Sequence, residues 1–263
     1  MKGKKINISL SIQRTYFVIF YFYVIAPILL IIIIAFNDSN LPTLPLKGFT
    51  LKWFSVLIHN QRLIKALVTS IIVGIGTTSF SLFLGIMSAF AFVRKKFFGE
   101  NFFYFLAIAP VIIPGAILGT SILVALRFIG IRGGVLATII GQTTFVSSFV
   151  LLTVMAQLKK FDLSLEEAAF DLGASKIEAI RKITIPFLRP AIISSAILAF
   201  LISFDNFGTT IFLIGNEMTL PIYIYSTVRF GYTPEINALF VCLVFIAIIG
   251  GLVQFQIYKQ RSV

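Results

Sequence analysis

Six apolar runs, each long enough to cross a bilayer, limit what this chain can fold into. They cover residues 16–36, 66–93, 102–126, 135–156, 191–214 and 238–258, with ends set to within a few residues. A spanning helix needs about 20 predominantly apolar residues. Helices are required because an unpaired backbone group in hydrocarbon costs several kcal/mol. The strict alternation of a transmembrane barrel is absent. Composition closes off the soluble alternatives. Hydrophobic residues make up 58% of the 263 and charged residues only 12%, with a mean hydropathy of +1.01. A soluble domain of that length lacks the interior to hide so much apolar surface. Disorder needs the opposite balance, and a disulfide framework needs more than the single Cys242. The expected fold class is an all-α membrane protein with six transmembrane helices, its surface facing lipid.

The net charge of +12 points to topology rather than to nucleic acid. A nucleic-acid binder gathers its bases into a patch on a polar domain. Here they fall in short clusters between apolar runs. With the N-terminus inside, fifteen of the 22 Lys and Arg residues lie on the cytoplasmic side, including Lys2, Lys4, Lys5, Arg94–Lys96 and the group from Lys159 to Arg189. That bias favours cytoplasmic N- and C-termini and a cell-membrane location. The first run is longer than a signal-peptide core and ends in Asn37-Asp38-Ser39 without a small-x-small site, so it reads as an uncleaved span.

Two connections carry structure of their own. Between the first two spans, Pro42 and Pro45 make an irregular start. From Leu51, Trp53, Phe54, Leu57 and Ile58 mix with Lys52, His59 and Arg62, which predicts a short helix at the membrane interface. In the third span Pro110 and Pro114 each remove a backbone donor, with Gly115 and Gly119 following. An ordinary kink and a broken helix lining a cavity both fit that pattern.

The longest polar stretch, 157–190, holds five of the ten acids: Asp162, Glu166, Glu167, Asp171 and Glu178. A plain connector needs only a handful of residues. Ser164-x-x-Glu167 and Ser175-x-x-Glu178 each match a capping box, and Gly173 between them suits a helix C-terminus. Two short helices follow. Ile177, Ile180 and Ile183 recur at helical spacing and predict an apolar stripe awaiting a partner. Pro186 is expected to stop the second helix and Pro190 to start the next span.

Glu167-Ala168-Ala169, three residues, Gly173, nine residues, then Ile183-x-Ile185-Pro186 resembles the EAA loop of ABC-importer permeases, with Ile185 where that pattern has Leu. The segments Ser203-Phe204-Asp205, Thr219–Tyr223, Val228–Gly231 and Pro234–Leu239 further resemble the second permease subunit of spermidine/putrescine transporters. Importers for other amines, opines or metals share parts of these. The resemblance implies a type I importer permease fold, with residues 66–258 as the permease domain, 1–65 before it and a tail at 259–263. It also implies that Glu167, Ala168, Ala169, Gly173, Ile183 and Pro186 build coupling helices. The partners it implies are two ATP-binding subunits, a sister permease and an extracytoplasmic substrate-binding protein, with ATP held by the partner and no cofactor on this chain.

Single residues add detail. Asp205 is the one carboxylate placed inside a predicted span, where an acid costs about 2.5–3.5 kcal/mol on insertion scales. It reads as a cation-attracting group in the substrate pathway or as a structural contact. Family members often carry two adjacent acids here; in this chain Asn206 follows and is placed with Asp205 in the expected substrate pathway. Tyr223, Tyr225 and Glu217 are expected on the outer side, within reach of a delivery protein, and Arg127 as an interfacial anchor. The sequence contains no P-loop, no G-x-S-x-G and no metal-ligand spacing around the lone His59. A membrane enzyme therefore has little support. An ion-coupled secondary transporter would need several intramembrane ionisable groups or an inverted repeat.

Overall fold

The computed structural model describes residues 8–42 and 45–261. Lys2, Lys4, Lys5 and the last two residues of the tail lie outside these. The described residues form twelve α-helices in order: α1 (Ile8–Ala35), α2 (Lys52–His59), α3 (Gln61–Arg94), α4 (Glu100–Ile112), α5 (Gly115–Phe128), α6 (Val135–Leu158), α7 (Ser164–Asp171), α8 (Lys176–Ala179), α9 (Ile185–Phe204), α10 (Thr210–Leu213), α11 (Leu220–Phe230) and α12 (Glu235–Arg261), with a π turn (Ile180–Thr184) joining α8 to α9. Among the described residues, five helices are long and apolar enough to cross a membrane. The pair α4 and α5 makes a sixth crossing if counted as one span. It is bent by 114° at the break, so the third span is broken and not merely kinked. Pro114 is the N-cap of α5, where its missing N–H costs nothing.

The fifth run departs most from its predicted limits. Its helix begins at Ile185 and ends at Phe204, so Asp205 and Asn206 lie in a turn and not inside a span. Pro186 does not end a helix. It sits in the first turn of α9, and Pro190 lies inside that helix.

The chain divides into two compact units. In residues 62–225, α6 and α9 pack side by side around Val146, Val150, Val154, Leu158, Leu188 and Ala199, all buried. Partly buried Ile86, Phe90 and Val93 of α3 cover this core.

The other unit comprises residues 1–61 and 226–263, in which α12 packs on α1 and α2. Asn37, two residues past the end of α1, organises the segment after it. Its side-chain oxygen accepts the Lys47 N–H at 2.8 Å, and its carbonyl accepts the Trp53 indole N–H at 2.8 Å. Phe36 stacks on Phe49 at 5.4 Å. The short helix expected after Leu51 is α2, and Trp53 is buried within the protein there. Its one donor has found a partner inside the protein, as a buried Trp requires.

Candidate docking loop and membrane pathway

The segment 157–190 folds as two short helices joined by a tight turn. The expected box at Ser164-x-x-Glu167 does not form. Ser164 is already helical, and the Asp162 carboxylate accepts its N–H at 3.0 Å. Asp162 precedes Ser164 by two residues and offers the stronger, charged acceptor. Its carboxyl is held below the usual aspartate range by the Ser164 backbone and hydroxyl. The second box is present. The Ser175 hydroxyl accepts from Glu178 N–H at 3.4 Å, and Glu178 accepts from Ser175 N–H at 3.0 Å.

Between them, Gly173 adopts φ +87° with open space where a Cβ would stand. The requirement is therefore conformational and not steric. Ala174 N–H bonds the Ala169 carbonyl and Gly173 N–H bonds that of Phe170, both at 2.9 Å. This is the Schellman closure that glycine favours.

The predicted isoleucine stripe is split. Ile177 is 78% exposed, whereas Ile183 packs on the α6–α9 core. The π turn explains the difference: Ile185 N–H bonds the Ile180 carbonyl, which adds a residue to that turn and rotates Ile183 inward. What faces solvent is Glu167, Ala168, Phe170, Leu172 (90% exposed) and Ile177 around Gly173, with Ala169 half-buried. Ile183 and Pro186 belong to the root of α9 instead.

The only buried residue of α7 is a carboxylate, Glu166. Arg94, the last residue of α3, grips it with two nitrogens at 2.5 and 2.9 Å. The Thr184 hydroxyl of the π turn donates to the same carboxylate. The side chains are 7% (Glu166) and 20% (Arg94) exposed. The guanidinium lies 5.7 Å from the Phe90 ring and 5.4 Å from the Phe161 ring. The Arg94 hydrogen bonds hold the Glu166 carboxyl below the usual glutamate range, against the opposing pull of burial. Sequence reading counted Glu166 among five loop acids without separating it. The available signal was an Arg at the head of the basic cluster that closes an apolar span, with an acid at the start of a later polar loop.

At the other end of α9, Asp205 is exposed in the turn that follows the helix. Asn206 points elsewhere. Its side-chain oxygen accepts from the backbone of Thr209 and Thr210 at 3.2 Å each and from the Thr210 hydroxyl at 3.0 Å, capping α10. The two residues therefore do different work. Gln142 of α6, fully buried, donates to the Thr210 hydroxyl at 2.7 Å. Its carbonyl accepts from Ser203 and, at 3.4 Å, from Thr77. One amide thus ties α3, α6, α9 and α10 together, and nothing in the sequence singled it out.

Close by, a recess of about 280 Å³ is lined by Pro110, Ile113, Gly115, Phe149, Asn206 and Thr209 among others. The break in the third span supplies its wall. A Cβ on Gly119 would lie 2.7 Å from the Thr209 carbonyl oxygen, so only glycine lets α5 approach this turn so closely. Tyr223 is buried, Tyr225 packs on Phe207 at 4.7 Å, and Glu217 pairs with Lys65 at 2.9 Å. Among the described residues no group of three or more His, Cys, Asp or Glu is placed to hold a metal ion.

A chain with this bent third span, two-helix polar loop and turn-ended fifth span is identified as a transport permease by comparison with known proteins. The chain belongs to the family described as the binding-protein-dependent transport system inner membrane component, whose model matches residues 81–260. The spermidine/putrescine transport system permease protein PotC of Escherichia coli (strain K12) is 33% identical over 243 residues, covering 92% of this chain and 92% of that protein. The putrescine transport system permease protein PotI of the same strain is 34% identical over 227 residues, covering 82% and 80%. Among solved structures, a bacterial ABC transporter involved in the import of the acidic polysaccharide alginate matches with a TM-score of 0.76 at 16% identity, over 97% of this chain and 98% of that one. The architecture is the type I importer permease fold, and the protein is a multi-pass membrane protein.

Proposed function

We propose that this chain is the permease subunit of an ATP-driven, binding-protein-dependent polyamine importer of the spermidine/putrescine kind. The observation that carries this reading is the 33% identity to PotC along 92% of both proteins. The loop geometry supports the same reading. A sister permease completes the pathway, and two ATP-binding subunits hold the two permeases from the cytoplasm, where both termini of this chain lie. An extracytoplasmic binding protein delivers the substrate. ATP stays on the partner subunits, and this chain is not an enzyme.

Glu167, Ala168, Ala169 and Gly173, with exposed Leu172 and Ile177, form the face that the ATPase receives. Ile183 and Pro186 fix the base of that face to α9. Closure of the ATP-binding subunits draws the loops together and turns the pathway outward. Asp205 presents its charge to a cationic substrate, and Asn206 shapes the turn that carries it. Purification after mild solubilisation tests the assembly. The chain should bring an ATPase subunit with it, and Gly173→Asp should abolish uptake. Absence of any ATPase, together with unaltered uptake by Gly173→Asp, would overturn the reading.

A further inference from the structure

Helix α7 has an unusual attachment. It buries no apolar side chain, and its one buried residue is the Glu166 carboxylate. Apolar contacts slide, because they are non-directional. A bidentate Arg–carboxylate pair has a fixed geometry. The pair joins α7 to the last residue of α3, and Thr184 joins the same carboxylate to the π turn that opens α9. At the far end of α9 lies Asp205. Phe90 and Phe161 flank the guanidinium and shield it from solvent.

We infer that Arg94, Glu166 and Thr184 form a rigid joint that passes movement of the docking helix α7 to α3 and α9 together. They are positioning residues: none touches ATP or substrate. The inference rests on the proposed ATPase docking of α7.

The test uses the whole transporter reconstituted in proteoliposomes, reading putrescine taken up per ATP hydrolysed. Arg94→Met with Glu166→Met removes both charges together and fills the site with apolar groups of similar length, so no buried charge is stranded. This double variant should still assemble and hydrolyse ATP, but its uptake per ATP should fall about tenfold, the scale of a typical coupling energy. A ratio equal to wild type would overturn the inference.

A second measurement leaves the joint intact. Spin labels at Lys95→Cys and Leu165→Cys, with Cys242→Ala, report the distance across it with and without trapped ATP. The two states should agree within about 2 Å, well short of the one-turn ratchet by which one element steps past another. A change of about a helical turn, roughly 5 Å, would overturn the inference even if the double variant fails to fold. A wild-type chain that never assembles with an ATPase sinks the functional reading. An assembled wild type whose uptake per ATP is indifferent to the joint sinks this inference alone.

Discussion

Glu166 and Gln142 show what single polar groups do inside an apolar protein. Because Arg94 holds the Glu166 carboxyl below its ordinary range, the folded loop binds fewer protons than the unfolded one in acid. The stability it contributes is complete at pH values above the ordinary glutamate range and is lost as the pH falls through the shifted value. Proteolysis of the 157–190 loop across pH should show protection at neutral pH that fades in acid, and Glu166→Gln should flatten that profile. Removing Arg94 alone would strand a buried carboxylate, at about 3 kcal/mol. Gln142→Leu leaves the hydroxyls of Thr77, Ser203 and Thr210 without their shared partner. Interhelical bonds in membranes average near 0.6 kcal/mol each, so the loss should be about 2 kcal/mol in thermal unfolding of the solubilised chain. An unchanged midpoint would show that the amide ties nothing together. Neither residue stood out in the sequence. A buried Gln in an apolar run has the same local pattern as one facing lipid, and a salt bridge across 72 positions leaves no trace in spacing.

At the scale of elements, periodicity located the long helices well. Apolar runs report burial in lipid or core directly, and α6 begins at Val135 as expected. Breaks were harder. Pro110 and Pro114 allowed either a kink or a fracture; the 114° bend brings with it a close approach of α5 to the turn at Thr209, a tertiary contact that spacing does not show. The fifth run continues apolar past Asp205, so composition extended the span where the backbone turns. In the 157–190 loop, Ser175 and Gly173 were legible because their roles are local. The π turn was not, and it moved Ile183 inward. The close approach at Gly119 yields a test. Gly119→Val should push α5 from the turn and destabilise the protein by about 1–3 kcal/mol, lowering uptake more than assembly. Normal uptake would mean that α5 has another way to sit.

For the molecule as a whole, the +12 charge and the ten acids divide the work. The bases fall mostly in short clusters between the apolar runs. The acids are few, and two of them stand at opposite ends of the α9 segment: Glu166, bonded to Thr184 of the π turn, and Asp205 in the far turn. Asp205→Asn should raise the KM for putrescine uptake several-fold while leaving ATPase co-purification intact; unchanged kinetics would remove Asp205 from the pathway. Labelled spermidine uptake into proteoliposomes holding this permease, its sister, the ATPase and the binding protein decides whether this chain serves ATP-driven polyamine import. Uptake should occur only when ATP is supplied on the nucleotide-binding side and should survive collapse of the proton gradient. Uptake that continues without ATP and stops when the gradient collapses would contradict the account.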